Sequence, residues 1–326
     1  MDLGPGSTSA GEGGPVGGAA GRSVEVTVEA PLGFIALTQP RRRNPLSSAT
    51  MNDIIAALAD LGSRPEVRVV VIRAQGPAFS AGHDLSELRD RTLEDEQAIF
   101  DTCVAMMTAI HDCDRPVIAE VSGAAFAAGC QLVATCDLAI ASSAATFSTP
   151  GVRIGLFCST PMVALTRAVG RKRALKMLLT GDPIDAETAA DWGLVNDVVP
   201  PDELEGAVRE LATRLAQSSS LTLAIGKRAF YQQIELPEPV AYEQMAQTMA
   251  ANAVTCDAQE GISAFLDKRT PEWTGTSEAD YPRELALSDR SGWTVLLRAR
   301  WVEGCASAVS VGRLSRLAAP LREDLP

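Results

Sequence analysis

Apolar and polar residues follow two different periods in the first part of the chain. Residues 24–28 alternate between valine and polar side chains, and residues 33–38 form a second short apolar run. Both patterns predict strands. Residues 51–61 carry apolar side chains at helical spacing, and 67–73 form the nearly continuous apolar run that is typical of a strand buried on both faces. The chain therefore alternates strand and helix from its first folded residues.

Turns that contain glycine separate the elements that follow. The segment 79–85 contains such a turn, and residues 98–110 have helical periodicity. A strand is predicted at 116–121, a glycine turn entering a helix at 123–135, and a further strand at 137–141. From about residue 161 helical patterns dominate, and they cover 162–169, 173–179, 186–192, 204–217 and 239–253. This order predicts an α/β protein whose second half is helical.

The two ends of the chain differ from this middle part. Residues 1–22 are rich in glycine and small side chains, and we interpret them as a disordered leader. Residues 276–326 contain a polar, turn-rich stretch, which predicts an appendage of low order, with a short helix as the alternative. The folded domain is therefore expected at 23–275, with a strand-and-helix core to about 195 and a helical region over about 200–275.

Composition narrows the possible functions. The formal net charge of −12 argues against a general binder of nucleic acid or of anionic membranes, because either needs a basic face. No apolar run reaches the roughly 20 residues of a membrane span. Seven scattered cysteines and two histidines argue against a metal site and favour a reducing compartment. The leader has no apolar signal core, and it carries acidic residues that a transit peptide avoids, so the expected location is cytoplasmic.

Two glycine turns are the candidates for chemistry. The turn 81–84 follows the buried strand at 67–73, and the turn 127–131 follows the strand at 116–121. Small residues between a strand and a helix allow a ligand to approach main-chain N–H groups, and the helix N-terminus adds a positive dipole. Two such turns that face each other could stabilise a thioester oxygen as it becomes negative. Tight packing alone is the alternative explanation.

Five segments in register resemble the enoyl-CoA hydratase/isomerase (crotonase) family. They are Phe79-Ser-Ala-Gly-His-Asp-Leu85, Val121-Ser-Gly-Ala-Ala-Phe-Ala-Ala-Gly-Cys-Gln131, Cys136-Asp-Leu-Ala-Ile140, Ala189-Ala-Asp-Trp-Gly-Leu-Val195 and Gln259-Glu-Gly-Ile-Ser-Ala-Phe-Leu-Asp-Lys-Arg269. The resemblance implies a ClpP-like spiral of β-β-α units with C-terminal helices that build the oligomer. It also implies action on acyl-CoA thioesters in fatty-acid metabolism. The segment Gly155-Leu-Phe-Cys-Ser-Thr-Pro161 points to one branch within that family.

The resemblance also assigns catalytic positions, and two of them depart from the family pattern. The main-chain N–H groups of His83 and Ala128 would form the oxyanion hole. Hydratases of the family use two glutamates, whereas Gln131 and Gly151 occupy the matching positions here. Each missing acid–base group costs about 10²- to 10⁴-fold in rate. Ordinary hydration is therefore not expected, although restoring both glutamates is predicted to raise its rate.

Contacts with coenzyme A are implied in the same way. The family places phosphate, adenine and neighbouring-subunit contacts at Arg42, Arg43, Ala81, Leu85, Phe265 and Lys268. Coenzyme A would enter as part of the thioester substrate, and no tightly bound cofactor or metal is expected. The family assembles as trimers that often pair into hexamers, so a homo-oligomer is implied.

Several side chains near these turns have less specific interpretations. The amide of Gln131 could orient a water or the acyl carbonyl, or it could bond nearby backbone. The imidazole of His83 is expected to face solvent rather than to be catalytic. Cys158 and Ser159 are expected to be small core residues rather than working groups. Asp84 is expected to brace its own turn.

The adjacent cations Lys227 and Arg228 are expected on a solvated face. Functions from other classes find little support. No G-x-S-x-G nucleophile turn and no G-x-G-x-x-G dinucleotide fingerprint occurs. The remaining rival is a non-catalytic protein that uses a retained enzyme fold to hold acyl-CoA or to assemble with partners.

Overall fold

A computed structural model describes residues 23–275 in full and the backbone of 284–288, 294–302 and 305–313. In the first part, the strands β1 to β10 are Val24–Glu29, Leu32–Leu37, Val69–Ala74, Ala78–Ser80, Val117–Val121, Ala124–Phe126, Leu138–Ser142, Thr146–Ser148, Ile184–Asp185 and Asp197–Val199. The helices α1 to α10 are Ser48–Ser63, Leu93–Asp112, Ala128–Thr135, Ser159–Ala168, Arg171–Thr180, Ala186–Trp192, Leu204–Ala216, Ser220–Gln233, Glu238–Ala253 and Cys256–Asp267.

The strands form two sheets that the chain visits in turn. The larger sheet has the order β1-β2-β3-β5-β7-β10, and every pair after the antiparallel β1-β2 pair is parallel. The smaller sheet has the order β4-β6-β8-β9, with β4, β6 and β8 parallel. Each of β3, β5 and β7 is followed by a short strand of the smaller sheet and then by a helix. This repeated β-β-α unit is the predicted spiral.

The inner strands of the larger sheet are buried on both faces, which explains their apolar runs. On one face, Ile35 and Ile72 join a core that includes Leu58 of α1. On the opposite face, Phe34 packs in a second core with Val208 of α7. Neighbouring residues of one strand therefore enter different cores, because successive side chains point to opposite faces.

Two differences from the predicted elements have local causes. Helix α2 begins at Leu93, before the periodic apolar run, because Thr92 and Asp95 form a capping box that satisfies its first N–H groups. The short strands β4 and β6 are missing from the sequence prediction because three residues are too few to establish an alternating pattern.

Beyond residue 275 the described backbone is strand, not the short helix considered from the sequence. Strands Glu284–Ser288 (β11), Thr294–Val302 (β12) and Cys305–Arg313 (β13) pair antiparallel. Alternating apolar residues from 295 to 301 have the period of two that suits a strand. The predicted disordered leader at 1–22 lies outside the described residues.

Candidate functional site

The two glycine turns predicted from the sequence lie against each other. Strands β4 and β6 are parallel neighbours, so the turns that follow them leave the smaller sheet at the same edge. Gly82 has a φ of +95°, and a Cβ there would lie 2.9 Å from the Ala127 Cβ and 3.2 Å from the Ala128 nitrogen. A side chain at Gly82 would therefore force the turns apart.

The main-chain N–H groups of His83 and Ala128 have no hydrogen-bond acceptor among the described residues. Ala128 is the first residue of α3, where N–H groups have no partner within the helix. Ala127 precedes it with an unusual φ of 50° and donates its own N–H to the carbonyl of Ser148 at 2.9 Å. The turn geometry thus leaves two donors at one edge of the sheet, beside the N-terminus of a helix.

A cavity of about 650 Å³ opens beside these turns. Six of the residues predicted from the sequence line it: Arg42, Ala81, His83, Leu85, Ala128 and Gly151. The remaining wall is largely apolar, and much of it was not predicted: Leu88, Phe100, Ile154, Leu156, Phe157 and Pro161. Large apolar side chains stand at 154, 156 and 157, in a segment with neither helical nor strand periodicity. This combination is the feature of the sequence that could have predicted residues lining a cavity.

At the mouth of the cavity, Arg42 and Asp84 form an ion pair with an N–O distance of 2.6 Å. The other Asp84 carboxylate oxygen accepts hydrogen bonds from the N–H and hydroxyl of Ser86, at 3.1 and 2.6 Å. Burial raises the pKa of Asp84, but the hydrogen bonds from Ser86 and Arg42 outweigh it and leave the pKa below its ordinary value. The prediction that Asp84 braces its own turn is confirmed.

The imidazole of His83 does not face solvent as predicted. Both ring nitrogens are buried and have no hydrogen-bond partner among the described residues. The ring meets Phe100 edge to face, with centroids 5.4 Å apart. Burial lowers the pKa of His83, while the Leu46 backbone and the Glu87 carboxylate oppose that shift. The sequence-based expectation failed because helix α2, distant in sequence, covers this side of the turn.

The two positions predicted to match the family's glutamates differ from each other in the structure. Gln131 is buried in α3 and does not line the cavity; its amide oxygen lies 3.8 Å from the thiol of Cys103 in α2. Gly151 does line the cavity, but a Cβ there would lie 2.0 Å from the Leu156 carbonyl oxygen and 2.9 Å from the Cys158 sulfur. The backbone of the following turn leaves no space for a side chain at position 151. This argues against the prediction that a glutamate could be restored there without a backbone shift.

Cys158 and Ser159 stand at the start of α4, in the cavity wall. Cys158 is buried, as predicted for a core residue, whereas Ser159 is exposed. Burial raises the pKa of the Cys158 thiol, and the Gly151 backbone only partly offsets this. A protonated thiol is a poor nucleophile, so Cys158 contributes surface rather than reactivity.

Three residues predicted to contact coenzyme A lie outside this cavity. Arg43 is exposed at a positive φ beside Arg42. Phe265 is 83% exposed on α10, and Lys268 is the exposed residue that ends that helix. Within one chain these three residues do not meet the cavity.

A second cavity, of about 860 Å³, lies beside Asp137 and Tyr231. The Asp137 carboxylate accepts hydrogen bonds from the Val117 N–H and the Tyr231 hydroxyl, and one of its oxygens lies 2.7 Å from the Lys227 nitrogen. Lys227 is only 8% exposed, so its predicted place on a solvated face is wrong. Its neighbour Arg228 is partly exposed and pairs with Asp114.

Within the described part of the chain, no three His, Cys, Asp or Glu side chains are grouped to hold a metal ion. No helix of this part is long and apolar enough to cross a membrane.

Comparison with known proteins finds a family model and similar proteins that agree with one another. The family model described as enoyl-CoA hydratase/isomerase matches residues 27–276. Enoyl-CoA hydratase domain-containing protein 3 from Mus musculus is 46% identical over 241 residues, which are 74% of this chain and 80% of the mouse protein. The 2,3-dehydroadipyl-CoA hydratase of Escherichia coli K12 is 34% identical over 243 residues, covering 74% of this chain and 94% of that protein.

Solved structures agree with the sequence matches. The crystal structure of human enoyl-CoA hydratase domain-containing protein 3 has a TM-score of 0.75 and 44% identity, covering 77% of this chain and all of that one. An enoyl-CoA hydratase from Mycobacterium smegmatis has a TM-score of 0.75 and 43% identity, covering 77% and 98% of the two chains. The predicted family, branch and fold are confirmed.

The predicted cytoplasmic location is contradicted by these relatives. The similar mouse, rat and human proteins are all named mitochondrial. The prediction failed because the composition of a leader is a weak guide to location: a missing apolar core excludes a secretory signal and leaves other destinations open.

Proposed function

This chain belongs to the enoyl-CoA hydratase/isomerase family, and from that membership we propose that it binds acyl-CoA thioesters in the 650 Å³ cavity and polarises the thioester carbonyl. The observation that carries this proposal is the pair of main-chain N–H groups at His83 and Ala128, which lack acceptors among the described residues. They would donate to the thioester oxygen as it gains negative charge. Preorganised donors of this kind typically contribute about 10²- to 10³-fold each.

Water addition is not part of the proposed activity. Hydration needs a base to take a proton from water and an acid to protonate the α-carbon. Asp84 is the one carboxylate among the residues that line the cavity, and it is held by Arg42 and Ser86. Gly151 offers no side chain, and the Gln131 amide is neutral. We therefore expect binding and polarisation of the thioester with very slow hydration.

Coenzyme A would lie across the mouth of the cavity. Arg42 is more than half exposed there, and Ala81 and Leu85 are exposed beside it. Arg42 would meet a phosphate only by sharing or leaving its pairing with Asp84. Coenzyme A is proposed as part of the substrate, with no tightly bound cofactor.

A homo-oligomer, trimer or hexamer, is the second part of the proposal. Helices α9 and α10 present large apolar side chains that are at least 70% exposed, namely Tyr242, Met249, Phe265 and Leu266. An apolar surface of this kind marks an interaction site in a soluble protein. Assembly would also let Phe265 and Lys268 reach the cavity of a neighbouring subunit, which they do not reach within one chain.

The test combines calorimetry with a rate measurement on the full chain. Acetyl-CoA should bind, and its affinity should fall with added salt because exposed cations are screened over about 8 Å at physiological ionic strength. Crotonyl-CoA hydration should stay far below a typical turnover of roughly 10 per second. Light scattering on the same sample should give three or six times the mass of one chain.

Absence of acetyl-CoA binding at millimolar ligand would refute the proposed function. Ordinary hydration of crotonyl-CoA would refute its chemical part, because another group would have to supply the base. Binding without turnover of any acyl-CoA would favour the alternative, a non-catalytic acyl-CoA-binding protein.

A further inference from the structure

The imidazole of His83 is a buried polar group. The Leu46 backbone lies near enough to oppose the fall in its pKa, but neither ring nitrogen meets hydrogen-bond geometry with any described residue, and the ring meets Phe100 edge to face. Buried polar atoms nearly always have a hydrogen-bond partner, so two such atoms without partners on one side chain need an explanation. His83 also lines the cavity and supplies one of the two free main-chain donors. The unpaired ring nitrogens therefore belong to a residue whose own main chain is one of the two proposed donors to the thioester oxygen.

Other groups in the cavity wall are poor candidates for proton transfer. The Asp84 carboxylate is committed to Arg42 and Ser86. Arg153 pairs with Asp182 and, as a guanidinium, does not give up its proton near neutral pH. The thiol of Cys158 is kept protonated by burial. His83 is the remaining side chain that can accept and return a proton.

We propose that the His83 imidazole exchanges protons with the α-carbon of a bound acyl-CoA, so that this cavity enolises thioesters without hydrating them. This inference rests on the proposed acyl-CoA binding. In the forward step the α C–H bond breaks, its electron pair moves toward the thioester oxygen, and the proton passes to a ring nitrogen of His83. The reverse step returns a proton from the imidazolium to the same carbon. The cycle consumes no second substrate and needs no oxidant or reductant.

Because both ring nitrogens are buried, the proposed proton transfer requires the imidazole to rotate out of its contact with Phe100. Both residues line the cavity, so an acyl chain that enters between them would separate the two rings. The rotation exchanges an aromatic contact for hydrogen bonds that the ring nitrogens lack in the closed arrangement.

The charges around His83 determine the expected pH dependence. Burial holds the pKa of His83 below its ordinary value, and the Leu46 backbone and the Glu87 carboxylate partly oppose this. The packed surface of α2 contributes the uncharged Phe100, and the cavity contributes Cys158 and two arginines that are already paired. The neutral imidazole is the base, so exchange should rise as the pH rises through the lowered pKa.

The experiment uses butyryl-CoA, a saturated thioester that cannot be hydrated, in D₂O with mass-spectrometric detection of deuterium at the α-carbon. His83→Asn removes the base but keeps the main-chain N–H, so it separates the imidazole from the oxyanion donor. Exchange should fall by about 10²- to 10⁴-fold in this variant. His111→Asn is the matched control, because His111 is the other histidine of the chain and stacks on Tyr231 away from this cavity.

Calorimetry and thermal melting on each variant complete the design. Wild-type exchange that His83→Asn abolishes, with butyryl-CoA affinity retained and His111→Asn unaffected, would support the inference. Equal exchange in His83→Asn and wild type would overturn it. So would a wild-type protein that binds butyryl-CoA without exchange, an outcome that leaves the proposed binding intact. Failure to bind butyryl-CoA would remove both.

Discussion

The cavity beside the glycine turns and the cluster around Asp137 each contain one of the chain's two histidines and an aspartate. Their polar atoms are paired very differently. Around Asp137, both carboxylate oxygens have donors, and Lys227 also donates to the carbonyls of Ile110 and Arg115. In the cavity, the nitrogens of His83 and two main-chain N–H groups have no partners among the described residues.

This contrast supports the proposed site over the second cavity. The cluster at Asp137 connects α8 to the start of β5, and each of its contacts is between protein groups, so its role is to hold the fold together. The unpaired groups at the glycine turns have no protein partner among the described residues, so they are available to a ligand. The cavity beside Asp137 is the larger of the two, but its polar groups are already paired, so volume does not carry the proposal.

The largest expected effect on stability comes from breaking the paired cluster. Lys227→Met removes the cation and leaves Asp137 as a buried charge without its partner. Removal of one member of a buried ion pair typically lowers the free energy of unfolding by about 3–5 kcal/mol. Urea denaturation followed by circular dichroism measures this change.

The neighbouring Arg228→Met is the matched control for that experiment. Arg228 and Asp114 are 38% and 43% exposed, and exposed ion pairs contribute about 0–1 kcal/mol. Equal losses in the two variants would contradict the distinction between a structural cluster and a solvated pair.

A smaller effect is expected from crowding the cavity wall. Gly151→Ala places a Cβ 2.0 Å from the Leu156 carbonyl oxygen, so the 151–158 segment must shift. Overpacking of this kind costs about 1–3 kcal/mol. Gly206→Ala in α7 meets no atom within 4 Å and should instead stabilise the helix by up to about 1 kcal/mol. If Gly151→Ala retains wild-type stability, position 151 is open, and restoring glutamate there becomes feasible.

The smallest effect concerns an unpaired buried group that lies outside both cavities. One carboxylate oxygen of Glu120 on β5 is buried without a partner among the described residues. Burial raises the pKa of Glu120, Arg73 opposes the shift, and Glu205 adds to it. The pKa of Glu120 is higher in the folded state than in the unfolded state, so the folded state favours the protonated carboxyl. The contribution of Glu120 to stability is therefore present at low pH. It is lost as the pH rises from the pKa of the unfolded state through the pKa of the folded state.

Glu120→Gln should therefore stabilise the protein at pH 7 by a few tenths to about 1 kcal/mol, and the difference should vanish near pH 4. Thermal melts at the two pH values measure it. A destabilised variant at pH 7 would show that the charged carboxylate has a favourable role, and unpaired atoms would then be a weaker guide to function elsewhere in this molecule.

Local pattern determined much of the fold. The strand and helix periods at 24–38 and 51–73, the two glycine turns and five helices of the second half were visible in the sequence, whereas α8 and α10 were not predicted. Alternation and helical spacing are properties of neighbouring residues, so they can be recognised in the sequence without knowledge of tertiary contacts. The same holds for Asp84, whose bonds to Ser86 lie within its own turn.

Tertiary structure decided the chemistry of the site. The burial of the His83 ring depends on α2, and the burial of Lys227 depends on Asp137, a residue far away in the chain. Gln131 turns toward Cys103 rather than the cavity. These outcomes depend on contacts between distant segments, which no local period encodes. Gly151 has no room for a side chain because the chain folds back on it within the 151–158 segment, in a conformation that has no helical or strand period. The sequence by itself determined which backbone turns exist, and only the packed structure decided which polar groups around them are left without partners.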